Sequence, residues 1–264
     1  MLTQLSAIVT DVGHLLLDWR SQGILQAFWD SPHKCKARVD ALAHEELFGR
    51  LNALNPRLPI ISEEDTDSHV SGRPSRYWLI DPLDGTASYI KGYDGFVTQV
   101  ALMVDDKPQL AAVYAPVFDQ LYTAERGHYA FLNHRMLFVN QRPATTLIDS
   151  FPKMTGAVLS AYEHLRLARY VECGGISLKV CRVASGSADV FFKKVVVWNW
   201  DVAAPQLVLE EAGGVFTDGW GLPVTYRGNY WVSGLVATNT RATHDRYMEW
   251  HTQYYRLQEE VKHE

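Results

Sequence analysis

Cysteine is scarce in this sequence: 264 residues hold three, Cys35, Cys173 and Cys181, with no CxxC and no paired spacing. A disulfide framework is therefore not expected, and a reducing compartment is. Surplus positive charge is lacking too. Lys+Arg 25 against Asp+Glu 30 gives a net charge of −5, and the basic residues are scattered, which argues against a nucleic-acid polymer or an anionic membrane surface as partner. No apolar run is long enough to cross a bilayer, and Asp11 and Asp18 interrupt the first twenty residues, which suits neither a membrane span nor a secretory signal. The expected location is the cytoplasm. Repeats, low-complexity tracts and flexible linkers are missing as well, so any internal boundary joins two packed halves. What is present is core material: 47% hydrophobic and 12% aromatic residues exclude overall disorder.

Leu5, Ile8, Val12, Leu15, Leu16 and Trp19 recur at helical spacing, and the stretch from Ala41 to Leu54 repeats the pattern. Two amphipathic helices therefore open the chain. From Tyr77 to Asn140 the period changes to short β-branched and aromatic runs separated by turns such as Asp105-Asp106-Lys107-Pro108 and Arg126-Gly127, which predicts an antiparallel meander. After residue 150 the rhythm predicts a strand at Val158–Ser160, helices at Glu163–Val171 and Ile176–Ala184, and a strand around Val190–Phe192. A helix Asp201–Ala212 stopped by Gly213-Gly214 and a strand at Val215–Thr217 follow. The expected organisation is an α+β part over residues 1–150 carrying the metal-binding motifs and an α/β part over 151–264 completing the site.

The chemistry-bearing stretch is Trp78-Leu79-Ile80-Asp81-Pro82-Leu83-Asp84-Gly85-Thr86. Two carboxylates three residues apart follow a short strand, and Gly85-Thr86 can open a helix whose first N–H groups would meet a phosphate. Paired hard oxygen ligands suit Mg²⁺. Three acids, Glu63-Glu64-Asp65, follow the apolar Ile60-Ile61, and Asp201 follows the strand-like Trp198-Asn199-Trp200. Each has an ordinary explanation by itself: a turn, a solvated loop, an N-cap. The sequence has no HExxH, P-loop, GxGxxG or GxSxG pattern. Cys181 falls on the apolar side of its helix, a core position. The tryptophans are expected in the core, with one or two at the site's mouth as candidates to stack on a base.

Taken together, WLIDPLDGT at Trp78–Thr86, SEED at Ser62–Asp65, WDVAA at Trp200–Ala204 and EEAGG at Glu210–Gly214 resemble the inositol monophosphatase superfamily of metal-dependent, lithium-sensitive phosphatases. Within it the likeness is greatest to the CysQ-type 3′(2′),5′-bisphosphate nucleotidases, through Ile90-Lys91, Val113–Gly127 and Ser177–Asp189. The resemblance implies a layered αβαβα sandwich, with an N-terminal antiparallel sheet and a C-terminal α/β part. It makes Glu63, Asp81, Asp84, Asp201 and the Leu83 carbonyl ligands of two or three Mg²⁺ ions. Glu63, Thr86 and Asp40 then become the groups that position and activate water. Gly85 and Thr86 would hold phosphate, and Ser177, Lys179, Lys193, Lys194 and Asp201 would reach the substrate.

Several positions depart from the pattern. Ala37 stands where a threonine is usual in the stretch Lys36–Asp40, which bears on the role of Asp40 and on the third ion. Pro205 falls in the Asp201–Ala212 helix and is expected near its first turn. Ser160-Ala161-Tyr162, after the expected strand, lacks an arginine that could grip a second phosphate. Lys193 and Lys194 lie where inositol-specific members carry a carboxylate, which favours a second anionic group on the substrate. The expected activity is a Mg²⁺-dependent phosphomonoesterase acting on a small phosphorylated metabolite, first a 3′(2′),5′-bisphosphate nucleotide. An inositol or sugar monophosphatase is the alternative, and a non-catalytic nucleotide- or metal-binding regulator is the alternative of another class. A homodimer is compatible with all three.

Overall fold

The computed structural model describes residues 1–31, 34–69 and 72–262, with side chains described outside 27–36 and 257–262. Cys35 and Lys36 therefore lie outside the described side chains. The chain opens with α1 (Leu2–Ser21), the hairpin β1 (Ala27–Ser31) and β2 (Lys34–Ala37), and α2 (Arg38–Leu54). The first sheet follows: β3 (Ile60–Ser62), β4 (Arg76–Asp84), the short α3 (Thr86–Ile90), β5 (Val97–Val104), β6 (Lys107–Ala115), β7 (Gln120–Glu125), β8 (Ala130–Leu132) and β9 (Arg135–Met136). Its seven strands lie in chain order and pair antiparallel except for β3, which runs parallel to β4. The predicted meander is present.

Alternation along β4 decides what each face of this sheet covers. Trp78 and Ile80 point to α1 and α2, where they pack with Leu5, Val9, Leu16, Ala43, Leu47 and Leu51. Tyr77 and Leu79 point the other way and join a second core with α5 (Ile176–Ala184) and α6 (Asn199–Glu211). At about 1.5–3 kcal/mol for each fully buried large apolar side chain, either face alone would hold its helices.

The second sheet contains β10 (Thr146–Asp149), β11 (Arg169–Glu172), β12 (Val190–Lys193), β14 (Val215–Asp218) and β16 (Leu235–Thr238), in the spatial order β11-β10-β12-β16-β14. Between them lie α4 (Gly156–His164) and the two-stranded pair β13 (Val197–Trp198) and β15 (Trp231–Val232), and α7 (Arg241–Lys262) closes the chain. Ile148, Phe191 and Leu235 face α5 and α6, whereas Leu147, Val190, Phe192 and Val236 face α4 and α7. Helices, sheet, helices, sheet, helices: the fold is the layered α+β sandwich that the resemblance implied. Among the described residues no helix is long and apolar enough to cross a membrane.

Three local expectations need correction. Val158–Ser160 is helix, not strand, because Ala157, Val158, Ala161, Tyr162 and Leu165 form one stripe against α7 and the second sheet. The helix expected at Glu163–Val171 ends at His164. Arg166 takes a left-handed φ of 55°, and the chain returns as β11 beside β10. Pro205 is the seventh residue of α6, in its second turn and not its first.

Candidate metal and phosphate site

One local rule places two of the acids. Asp40 and Asp201 each stand third in a helix and reach back to the N-cap amide, Asp40 to Ala37 N at 2.7 Å and Asp201 to Trp198 N at 3.0 Å. Asp40 is held through the backbone of residue 37, so the alanine there does not displace it. Its other oxygen lies 2.8 Å from Thr86 Oγ1, which is also 3.2 Å from the Leu83 carbonyl.

The DPLD stretch stays within β4 instead of forming a turn. Asp81 pairs with Gln99 and Asp84 with Val97, so three steps on one strand oppose two on the other, and this bulge re-aims the carboxylates. Gly85 then adopts φ 94°, and a Cβ there would stand 3.0 Å from the Gly95 carbonyl and 3.3 Å from Gly175 N. Glycine is required at that corner. Asp81 Oδ1 accepts from Leu83 N at 3.1 Å. The turn bearing Glu63 is fixed through Ser62, which is fully buried: its hydroxyl lies 2.8 Å from His44 Nδ1, and its carbonyl accepts from His69 Nε2 at 2.7 Å.

Carboxylate oxygens of Glu63, Asp81 and Asp201 come within 4.8 Å of one another. Burial, then the charges of Glu63, Asp84 and Asp201, push the Asp81 pKa well above the ordinary carboxylate value. Close acids in an all-oxygen set, one of them fully desolvated, fit a hard divalent cation, which would remove the repulsion. Asp84 lies beside them, but its carboxylate accepts from Ile176 N at 3.1 Å and Ser177 N at 2.7 Å, at the start of α5. Gly175 is needed there, since a Cβ would meet Asp84 Oδ2 at 2.5 Å.

The residues expected on the substrate side separate. Ser177 and Lys179 are fully buried. Lys179 Nζ donates to Ser150 Oγ at 2.8 Å and to the Gly174 carbonyl, and burial, then Lys193, lowers its pKa to about 8. Lys193 thus faces Lys179 electrostatically. Lys194 turns to the other side of the sheet, its Nζ 4.3 Å and 4.4 Å from the Tyr254 and Tyr255 ring centres on α7. Ser150, bonded to Lys179, follows β10, whereas Ser160, Ala161 and Tyr162 lie within α4. The tryptophans are not all in the core: Trp198, Trp220 and Trp231 are exposed, and Trp198 stacks on the buried Trp200 at 5.2 Å, with His69 on Trp200 at 4.8 Å. Gln99, a lone amide in the apolar run of β5, was not singled out from the sequence. It is 1% exposed and donates to Ser177 Oγ and to the Trp200 carbonyl.

The chain is 32% identical over 213 residues to the Nus factor SuhB of Salmonella typhimurium, covering 77% of each chain. It is 33% identical over 193 residues to the 3′(2′),5′-bisphosphate nucleotidase CysQ of Escherichia coli K12, covering 71% of this chain and 78% of the other. The extragenic suppressor protein suhB of Bartonella henselae superposes with a TM-score of 0.80 at 25% identity over 94% of this chain and 97% of that one. A Thermotoga maritima IMPase superposes with a TM-score of 0.79 over 96% of each chain, at 24% identity, a likeness of fold. The profile of the inositol monophosphatase family matches residues 7–260, leaving only the two ends outside it, and the chain belongs to that family.

Proposed function

We propose that this chain is a Mg²⁺-dependent phosphomonoesterase whose substrate is a 3′(2′),5′-bisphosphate nucleotide. The observation that carries the reading is the convergence of Glu63, Asp81 and Asp201, with the Thr86–Asp40 pair beside them. Glu63, Asp81, Asp84 and Asp201 would hold Mg²⁺, which when bound would supply charge neutralisation for the phosphoryl oxygens and the leaving oxygen. The amides of Gly85 and Thr86 hold the phosphate. Glu63 and Thr86 Oγ1 orient the attacking water, and Asp40 accepts the Thr86 hydroxyl proton as the water gives its own to Thr86.

Burial raises Asp40 from 3.8 to about 7, against the hydrogen bond from Thr86. Below its pKa Asp40 is neutral and accepts poorly, so kcat/KM should show an acid limb, at a pH below the metal-free value of about 7 because bound Mg²⁺ favours the carboxylate. Asp40→Asn should lower kcat/KM by roughly 10²-fold or more and flatten that limb. An unchanged limb in the variant counts against the proton route. The sign on stability is opposite. An unfolded Asp40 loses its proton near 3.8 and the folded one near 7, so stability falls as pH rises through that window, and Asp40→Asn should melt relatively higher at pH 8 than at pH 4.

Substrate choice rests on the CysQ likeness and on the charge of Lys193, which bears on Lys179. Phosphate release is to be measured over a bisphosphate nucleotide, its monophosphate, inositol monophosphate and sugar phosphates. The bisphosphate should lead, and Lys193→Ala should remove about ten- to a hundredfold of its advantage, the size of one charge-assisted hydrogen bond. Lys194, packed on tyrosines, should contribute less. A monophosphate preferred, with Lys193→Ala indifferent, moves the assignment to inositol or sugar phosphates. No release from any substrate favours a non-catalytic role.

A further inference from the structure

Pro205 brings no N–H to α6, so the helix cannot satisfy the carbonyl four residues earlier, that of Asp201. Ser177 Oγ donates to that carbonyl from α5 at 2.9 Å. The same hydroxyl oxygen accepts from Gln99 Nε2 at 2.6 Å, and this nitrogen also donates to the Trp200 carbonyl at 2.8 Å and lies 3.4 Å from Asp81 Oδ2. A carbonyl and a carboxylate only accept, so the amide has one orientation. Its Oε1 is then buried with no partner among the described residues, a cost to the fold and not a gain. Stability does not explain Gln99.

We infer that Gln99 and Ser177 are positioning residues: the relay from Gln99 through Ser177 to the Asp201 carbonyl, opened by Pro205, sets Asp201 of the C-terminal part against Asp81 of the N-terminal part. Ser177 acts on Asp84 as well, through its amide. The inference rests on the proposed reading of the acids as a Mg²⁺ site. Groups that orient ligands from behind typically change metal affinity by about 10–100-fold when lost.

The test is Mg²⁺ calorimetry and metal-free melting of the full chain, with turnover alongside, in wild type, Gln99→Leu, Gln99→Asn, Ser177→Ala, Pro205→Ala and the Ser177→Ala/Pro205→Ala pair. Gln99→Leu should weaken Mg²⁺ binding about tenfold or more, while the metal-free Tm stays within about 4 °C of wild type. Gln99→Asn, one methylene too short to reach both helices, should weaken it too and serves if the leucine variant does not fold. Pro205→Ala gives the Asp201 carbonyl a helical donor, so Ser177→Ala should cost about tenfold in the wild-type background and within about threefold in the Pro205→Ala background. Unchanged isotherms for both Gln99 variants, or equal costs of Ser177→Ala in the two backgrounds, overturn the relay. So does a Mg²⁺ loss that merely tracks lost metal-free stability. Wild-type turnover with unchanged variant isotherms sinks the relay alone, whereas altered isotherms with no phosphate release from any substrate sink only the catalytic reading.

Discussion

Asp81→Asn should abolish phosphate release and at the same time make the metal-free protein harder to melt. Asp81 is 1% exposed and carries the charges of Glu63, Asp84 and Asp201 around it, so its ionised form is the least comfortable group in the cation-free site. The amide keeps the acceptor for Leu83 N and drops the charge. Relief of even one pKa unit is about 1.4 kcal/mol, or about 3–6 °C in Tm for a chain of this size. Turnover should fall by about 10³-fold or more, because several kcal/mol of electrostatic stabilisation are lost at roughly 1.4 kcal/mol per decade. Melting curves in EDTA and phosphate-release rates in Mg²⁺ check both halves. Near-normal kcat, or a lower metal-free Tm, would mean that Asp81 is not the centre of the site. Asp84→Asn is the poorer probe, since Asp84 also accepts two amides at the start of α5 and its loss mixes structure with chemistry.

Periodicity made the sandwich legible where each residue faces one layer. Tyr77 to Ile80 alternate between two cores, and the stripe of α1 meets only one sheet face. It misled at Val158, where a β-branched residue sits in a helix whose burial comes from α7, more than eighty residues on. Motif order brought Glu63, Asp81 and Asp201 to one place because a strand end, a bulge within β4 and a helix N-terminus aim them in turn. The direction of Asp84 could not be read that way, since it depends on two amides ninety-two and ninety-three residues away. The lysine pair parted for a simpler reason. Successive residues leaving a strand point to opposite faces, so the charge of Lys193 bears on Lys179 while Lys194 reaches Tyr254 and Tyr255. Gln99 did leave a signal, a single amide in Val97-Thr98-Gln99-Val100-Ala101-Leu102, but a buried polar residue reveals its purpose only through its partners.

Removing the divalent cation should silence the wild type completely and loosen it measurably. Glu63, Asp81 and Asp201 bring three carboxylates within 4.8 Å, and in EDTA the donors that reach them, such as the amides of Leu83 and Trp198 and the Gln99 side chain, offset their repulsion only in part. If, as proposed, Mg²⁺ binds the folded site and has no such site in the unfolded chain, a hundredfold excess over Kd should add about 2.7 kcal/mol, or roughly 5–11 °C in Tm for a chain of this size. Activity and Tm should return together as Mg²⁺ is added back. The two readouts separate in Asp81→Asn: its Mg²⁺-dependent rise in Tm should largely vanish while its metal-free Tm exceeds that of the wild type, because the variant no longer carries the repulsion that the cation relieves. Full turnover in chelator would remove the metal from the chemistry. A wild-type Tm indifferent to Mg²⁺ would remove it from the acid cluster, and both results would return Glu63, Asp81 and Asp201 to being acids that fold together for some other reason.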